Sequence, residues 1–271
     1  MKKTNINQDM AGAATGSHTI SIIGSGNVAT HMALALLSAG HSVRQVLSRS
    51  FEHATTLARR VGAEPLDDWH RLDDRSEVYL LAVNDDSLYD LALDLRLHGS
   101  VVLHTSGSTP LSVLKPVSMR CGVVWSPQTF VRDIAMDYRH LPLCIEGSTP
   151  EVEDMVEELF ATVSDNIYRL GCEQRCKAHA AAVMVSNFVN AVNASAQRYM
   201  EAEGLDFAML KPLAEQTLRK WDYGDLWQQQ TGPAARHDDR TIKAHRRLLE
   251  QHPDLLRLYD MMTEIIQNNV R

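Results

Sequence analysis

The spacing of apolar and polar positions changes character once along the chain. Up to about Gly171, short β-branched or fully apolar runs alternate with helical periodicity. The runs Thr19–Gly24, Ser42–Ser48, Glu77–Val83, Ser100–His104, Gly122–Trp125, Pro142–Glu146 and Asn166–Leu170 predict strands, with a further short strand and loop over Gly62–Asp74. Between them, Asn27–Ala39, Phe51–Val61, Asp85–Leu97 and Thr149–Ser164 predict helices, the last opened by a Thr149 cap with Pro150 in the first turn. Alternating strands and helices predict an α/β fold with a mostly parallel, doubly wound sheet. Beyond Cys172 the strand signals vanish, and helices are expected over Gln174–Ala202, Phe207–Trp221, Arg240–Gln251 and Pro253–Asn269. This places a first domain at 18–171 and an all-α second domain at 172–271, after a polar tail, 1–17, read as disordered.

The first strand runs into Gly24-Ser25-Gly26-Asn27-Val28-Ala29 and then an apolar helix. Strand, glycine turn and helix in that order suit a dinucleotide pyrophosphate: Gly24 permits the tight turn and Gly26 removes a Cβ from the approach to the phosphates. Ala29 lets the helix pack close to the strand, and the helix N-terminus offers unpaired N–H groups and its positive dipole end. A kinase-type glycine loop fits less well, because no matching catalytic loop follows. The second strand ends Leu47-Ser48-Arg49-Ser50 without the acid that would accept a ribose diol. Arg49, flanked by the hydroxyls of Ser48 and Ser50, suits a 2′-phosphate instead, so NADP is the expected cofactor; the competing reading is a solvated loop arginine. Val83 and Asn84 lie at the carboxyl end of the next strand, where open α/β sheets place ligands, and Asp85 or Asp86 is expected to cap the helix that follows. Ser106, in Ser106-Gly107-Ser108 after another strand, is placed either to touch nicotinamide or substrate or to form a polar turn.

In the long helix 174–202 the polar residues gather on one side. At about 100° per residue, Ser186, Asn190, Asn193 and Gln197 all fall within roughly 40° of His179, with Asn187 about 80° away. Such a stripe on an apolar helix faces a ligand cavity, a polar seam or ordered water. His179 is the candidate proton donor, with Lys177, about 160° round the helix, as its competitor. No second ligand at helical spacing supports a metal there. Thr231-Gly232-Pro233-Ala234-Ala235-Arg236-His237-Asp238 forms a turn that presents Arg236 as a candidate carboxylate clamp, with Asp238 as a cap for the next helix.

The 271 residues carry a net charge of −7, which argues against a general binder of nucleic acid or anionic membrane while leaving room for a local anion site. The start of the chain lacks the apolar core of a secretory signal, no run is long enough to span a membrane, and Cys121, Cys144, Cys172 and Cys176 show no C-x-x-C spacing. A cytoplasmic protein with reduced thiols is therefore expected.

Taken together, IIGSGNVA (22–29), LSRS (47–50), AVNDD (82–86), HTSGS (104–108), SPQTF (126–130), EQRCKAHAAAVMVSNF (173–188) and QTGPAARHDDRTIKAHRRLL (230–249) resemble the Rossmann-like oxidoreductases whose C-terminal half is a helical domain of unknown function. These are relatives of pyrroline-5-carboxylate reductase, ketopantoate reductase and the deazaflavin-dependent NADP reductases. The resemblance implies an NADP-binding domain followed by an all-α domain like that of 6-phosphogluconate dehydrogenase, and a homodimer formed through the helices. It also implies a site between the domains reached by His179, Asn187, Thr231 and Arg236. Trp125 departs from the pattern, since a less bulky residue is expected there. The function expected is hydride transfer to or from a small polar, carboxylate-bearing carbonyl, alcohol or imine. Gly24, Ser25, Gly26, Asn27 and Val28 would hold the pyrophosphate, with His179 as acid, Asn187 orienting and Arg236 clamping. The rival is a non-catalytic NADP-binding regulatory or assembly protein, in which the polar stripe sets dimer specificity.

Overall fold

The computed structural model describes residues 16–270; most of the expected N-terminal tail lies outside the described residues. The first compact unit runs through Ser186 and the second covers Asn187 onward. In chain order the first unit holds β1 (Thr19–Ile23), α1 (Asn27–Ser38), β2 (Ser42–Leu47), α2 (Phe51–Val61), β3 (Glu64–Leu66), β4 (Val78–Leu81), α3 (Asp85–Asp94), β5 (Val101–His104), β6 (Cys121–Trp125), β7 (Leu143–Gly147), α4 (Pro150–Ala161), β8 (Ile167–Arg169) and α5 (Cys172–Val183). The strands form one eight-stranded sheet in the order β3-β2-β1-β4-β5-β6-β7-β8. Neighbours are parallel except β6 and β7. The central strands β4 (VYLL) and β5 (VVLH) are buried along their whole length and almost wholly apolar, as expected where helices cover both faces. One core cluster joins Ile20, Ile22 and Val46 to α1, α2 and α4. The other joins Ile23, Leu81 and Val123 to α3, with Ala178 and Ala182 of α5 packed against it. Strand order runs outward in both directions from β1 and β4, which makes their carboxyl ends a topological switch point.

Several helix boundaries follow from local chemistry. Thr149 caps α4 by accepting from the Val152 amide, as the sequence implies. At α3 the cap is Asn84, whose Oδ1 accepts from the Ser87 amide at 2.8 Å, rather than Asp85 or Asp86. The cap sits one residue earlier than expected and leaves both acids in the first turn. The predicted helix 174–202 begins at Cys172 and is interrupted by a π turn, Met184–Phe188, before α6 (Val189–Ala202). One inserted residue sets later positions back by about 100°, so Asn190, Asn193 and Gln197 step off the line of His179. Asn193 bonds back to the Val189 carbonyl at 2.9 Å and Gln197 to Glu201 at 2.8 Å, so neither belongs to a buried polar seam.

In the second unit, α7 (Lys211–Arg219) is flanked by 3₁₀ turns, and α8 (Asp239–Leu248) precedes α9 (Pro253–Asn269). Asp238 caps α8 through the Thr241 amide and hydroxyl. Tyr259 ties α9 to His245 of α8 at 2.9 Å. Among the described residues of this unit only Met200, Ala234 and Ile242 are buried. The apolar faces expected to be covered are open to solvent at Phe188, Val189, Val192, Leu213 and Ile265. No helix among the described residues is long and apolar enough to cross a membrane. Cys121 and Cys144 are buried free thiols, and Cys172 and Cys176 are half-buried ones.

A buried guanidinium anchors α5 to the sheet. Arg175 is 1% exposed, pairs with Glu146 of β7, and donates to the Thr109 carbonyl at 2.7 Å. Beside it, fully buried His104 accepts a hydrogen bond from the Ser106 amide at Nδ1, so its proton sits on Nε2. Burial, reinforced by the Arg175 charge, holds the His104 pKa down at about 4. The unfolded chain takes up this proton near pH 6.5 and the folded one only near 4, so the folded state loses stability as pH falls through that window. We expect His104 to account for about 3 kcal/mol of the stability lost on going from pH 7 to pH 4. Urea unfolding at pH 7, 5.5 and 4 should show that loss shrinking in His104→Asn; an unchanged pH dependence would refute the assignment.

Candidate functional site

Gly24 ends β1 with φ 121°, and its amide donates to the Leu47 carbonyl at 2.8 Å. A Cβ at Gly24 would collide with the Ala82 carbonyl, so the turn is pressed against the end of β4 and admits only glycine. Gly26 is the N-cap of α1 in extended backbone, and a Cβ there would meet nothing within 4 Å. No side chain caps α1 and no acid sits in its first turn, whereas Ser50, Asn84 and Thr149 cap α2, α3 and α4. The first amides of α1 therefore remain open to an anion.

Two cavities meet over this turn, sharing Gly26, Ala82, Val83 and Asn84. The larger, about 540 Å³, runs from Gly24 and Ser25 across the ends of β2 and β3. Ser48, Arg49 and Ser50 line it, with Arg49 exposed; Trp69 and Leu91 supply apolar wall, and the carboxylates Asp67, Asp90 and Asp94 lie along it. The Ser25 and Ser48 hydroxyls bond each other at 2.7 Å, and Ser50 is engaged as the α2 cap. The smaller cavity, about 380 Å³, opens over the ends of β4 and β5 and is lined by Asn27, Val28, Asp85, Ser106, Trp125 and His179 among others.

His179 reaches this second cavity because α5 lies against the loop after β5. A Cβ on Gly107 would come within 2.9 Å of both the His179 ring and Trp125, so that glycine permits the approach. Trp125 and His179 meet edge to face, centroids 5.6 Å apart at 89°. Arg175, one turn before His179 on the same side of the helix, fixes the register. Lys177 is exposed and paired with Glu173, and it lines neither cavity.

Other expected residues take local roles. The Asn27 side chain donates to the Phe130 carbonyl at 2.9 Å, which commits one of its amide N–H groups. Arg132 donates to the Ser25 carbonyl at 2.9 Å, and His31 binds the Val131 carbonyl at 2.8 Å, so the segment after β6 straps the glycine turn. Ser106 accepts from the Thr109 amide at 3.0 Å and forms the polar turn, although it also lines the second cavity. In the second unit, Asn187 is exposed within the π turn. Arg236 is exposed in a turn held by Gly232 at φ 103° and His237 at φ 51°.

Beyond the residues singled out from the sequence, Trp69 and Asp85 line the site, Arg175 anchors the helix that carries His179, and Gly107 makes room for the His179 ring. Asp85 was expected to cap a helix. Gly107 looks like any turn glycine until His179 is seen against it. Arg175 reads as an ordinary surface arginine on a helix.

Two family models match the chain. Residues 1–126 match the family model of a Rossmann-like domain, and 141–266 match a domain of unknown function, DUF2520. A "putative NADP oxidoreductase" from Bacteroides fragilis is 31% identical, with a TM-score of 0.87 over 94% of this chain and 100% of that one. A reductive aminase from Aspergillus terreus, solved in complex with NADPH and ethyl-5-oxohexanoate, is 16% identical at TM-score 0.69, over 94% of this chain and 97% of that one. A pyrroline-5-carboxylate reductase from Coxiella burnetii is 15% identical at TM-score 0.56, over 93% and 99%. No curated protein matches by sequence. The chain belongs to the family of the Bacteroides protein, and its own Rossmann-like domain is followed by a DUF2520 domain.

Proposed function

We propose that the protein is an NADP(H)-dependent oxidoreductase that transfers a hydride to or from a small polar carbonyl, alcohol or imine. The observation that carries this reading is the pair of joined cavities across the uncapped N-terminus of α1, with Arg49 at one end and His179 at the other. The amides of Gly26, Asn27 and Val28 would hold the pyrophosphate through the helix dipole. Arg49 and Ser48 would meet the 2′-phosphate by charge-assisted hydrogen bonds. When bound, the cofactor supplies or accepts the hydride. His179 would hold or release the proton at the substrate heteroatom. Asn187 would orient the substrate and Arg236 would clamp a carboxylate if the substrate bears one. The NADPH named with the Aspergillus aminase, and the NADP named with the Bacteroides relative, support the choice of cofactor.

The second unit buries too few residues to make a core of its own, which supports a homodimer that covers its apolar helices. Sedimentation equilibrium should give twice the chain mass at micromolar concentration; a monomer there would rule the dimer out.

For the cofactor, NADPH should bind at least tenfold more tightly than NADH, and Arg49→Ala should remove most of that preference, about 1.4 kcal/mol or more. Isothermal titration decides this: tighter NADH binding would instead favour a ribose diol accepted by Asp67. For the chemistry, NADPH oxidation across a panel of keto acids and cyclic imines should identify a substrate. On that substrate, His179→Gln should lower kcat by about 100-fold or more. Unchanged turnover would remove His179 from the mechanism, and NADPH binding without turnover on any substrate would favour a regulatory protein.

A further inference from the structure

We propose that the smaller cavity receives its substrate as a cation, with the nitrogen of a protonated imine set against the Asp85 carboxylate and the Trp125 ring. This rests on the hydride-transfer reading of the same cavity, and it narrows the substrate class.

Charge is the first reason. Asp85 lines the cavity, and no lysine or arginine does. The carboxylate is not needed as a helix cap, because Asn84 fills that position. Instead it is aimed across the mouth between β4 and β5, where the Ser108 hydroxyl donates to Oδ2 at 2.8 Å. Burial pushes the Asp85 carboxyl upward, but hydrogen bonds from Ser108, Ser106 and Thr109 together outweigh it and hold the group below its ordinary value. Asp85 therefore brings a negative charge to the cavity wall at neutral pH.

The second reason is the wall. Trp125, 6% exposed, lines the cavity beside Asp85 and His179. An indole face and a carboxylate together are suited to an ammonium or iminium group, while a carboxylate is a poor neighbour for an anion. The bulk of Trp125, out of place for a wide substrate pocket, makes sense as one side of a cation site.

The third reason is how charge moves. Hydride arriving at a protonated imine forms the new C–H bond while the C=N π pair becomes the nitrogen lone pair, leaving a neutral amine. The substrate brings its own proton, and no negative charge develops beside Asp85. Hydride arriving at a neutral carbonyl would instead create an oxyanion facing that carboxylate, which opposes the reaction. His179 would hold the imine's proton at the nitrogen until the hydride arrives, the role proposed for it above.

The test uses the full-length protein loaded with NADPH and isothermal titration with N,N-dimethylpyrrolidinium, a permanent cation. Cyclopentanone serves as a neutral probe of similar size. The cation should bind more tightly than the ketone, and Asp85→Asn should weaken the cation by about tenfold or more while changing the ketone by less than about twofold. The melting temperature of the variant reports whether it folds, and Trp125→Leu gives a second, independent loss of cation affinity. Equal cation binding by wild type and Asp85→Asn, or a wild-type preference for the ketone, would overturn the proposal. If the wild type fails to bind NADPH, the hydride-transfer reading falls. The same titration on the unloaded protein then still decides whether Asp85 and Trp125 form a cation site.

Discussion

Everything at the candidate site depends on how closely Gly24 lies against the Ala82 carbonyl. A single Cβ at that point would separate β1 from the end of β4 and move the start of α1. The contact holds the helix N-terminus, uncapped, over the switch point of the sheet, where the strand ends diverge. An open row of amides at such a position is an anion site by geometry alone, before any side chain is considered. The side chains around it then divide the groove. Arg49 and an apolar wall of Trp69 and Leu91 lie on one side; Asp85, Trp125 and His179 lie on the other.

A second, less visible constraint places His179. Arg175 is buried almost completely, pairs with Glu146 and donates to the Thr109 carbonyl, so α5 packs with the sheet. That is why the first compact unit runs through Ser186, beyond the change of sequence rhythm near Gly171. Removing either partner would strand a charge in the interior, so the tie is strong in the sense that matters for register: breaking it is costly even if the pair itself adds little net stability. The same guanidinium helps to keep His104 neutral, linking the end of β5, next to the cavity-lining Thr105, to the anchoring of α5.

Much of this was legible in the sequence. The order of strands and helices, the glycine turn, the Thr149 and Asp238 caps and the change to an all-helical second half all follow from local periodicity and capping chemistry, which act within a few residues. Features that depend on long-range contacts were not. Asn84, Asp85 and Asp86 are all acceptable caps by composition, and only the backbone decides that Asn84 does the work and Asp85 is released to the cavity. The π turn at Met184–Phe188 has no signature in an apolar run, yet it dissolves the polar stripe drawn at a constant angle per residue. Gly107 and Arg175 draw their meaning from His179 and Glu146, partners distant in sequence.

In the proposed function, one groove over β1, β2, β4 and β5 holds a dinucleotide by the amides of α1. Amide hydrogen exchange with and without NADPH tests it most directly. Exchange should slow at Gly26–Ala29 and, on either side of the turn, at residues 48–50 and 83–85, with smaller changes elsewhere. Binding that leaves the amides of Gly26–Ala29 unprotected, or protects only residues outside the groove, would contradict it.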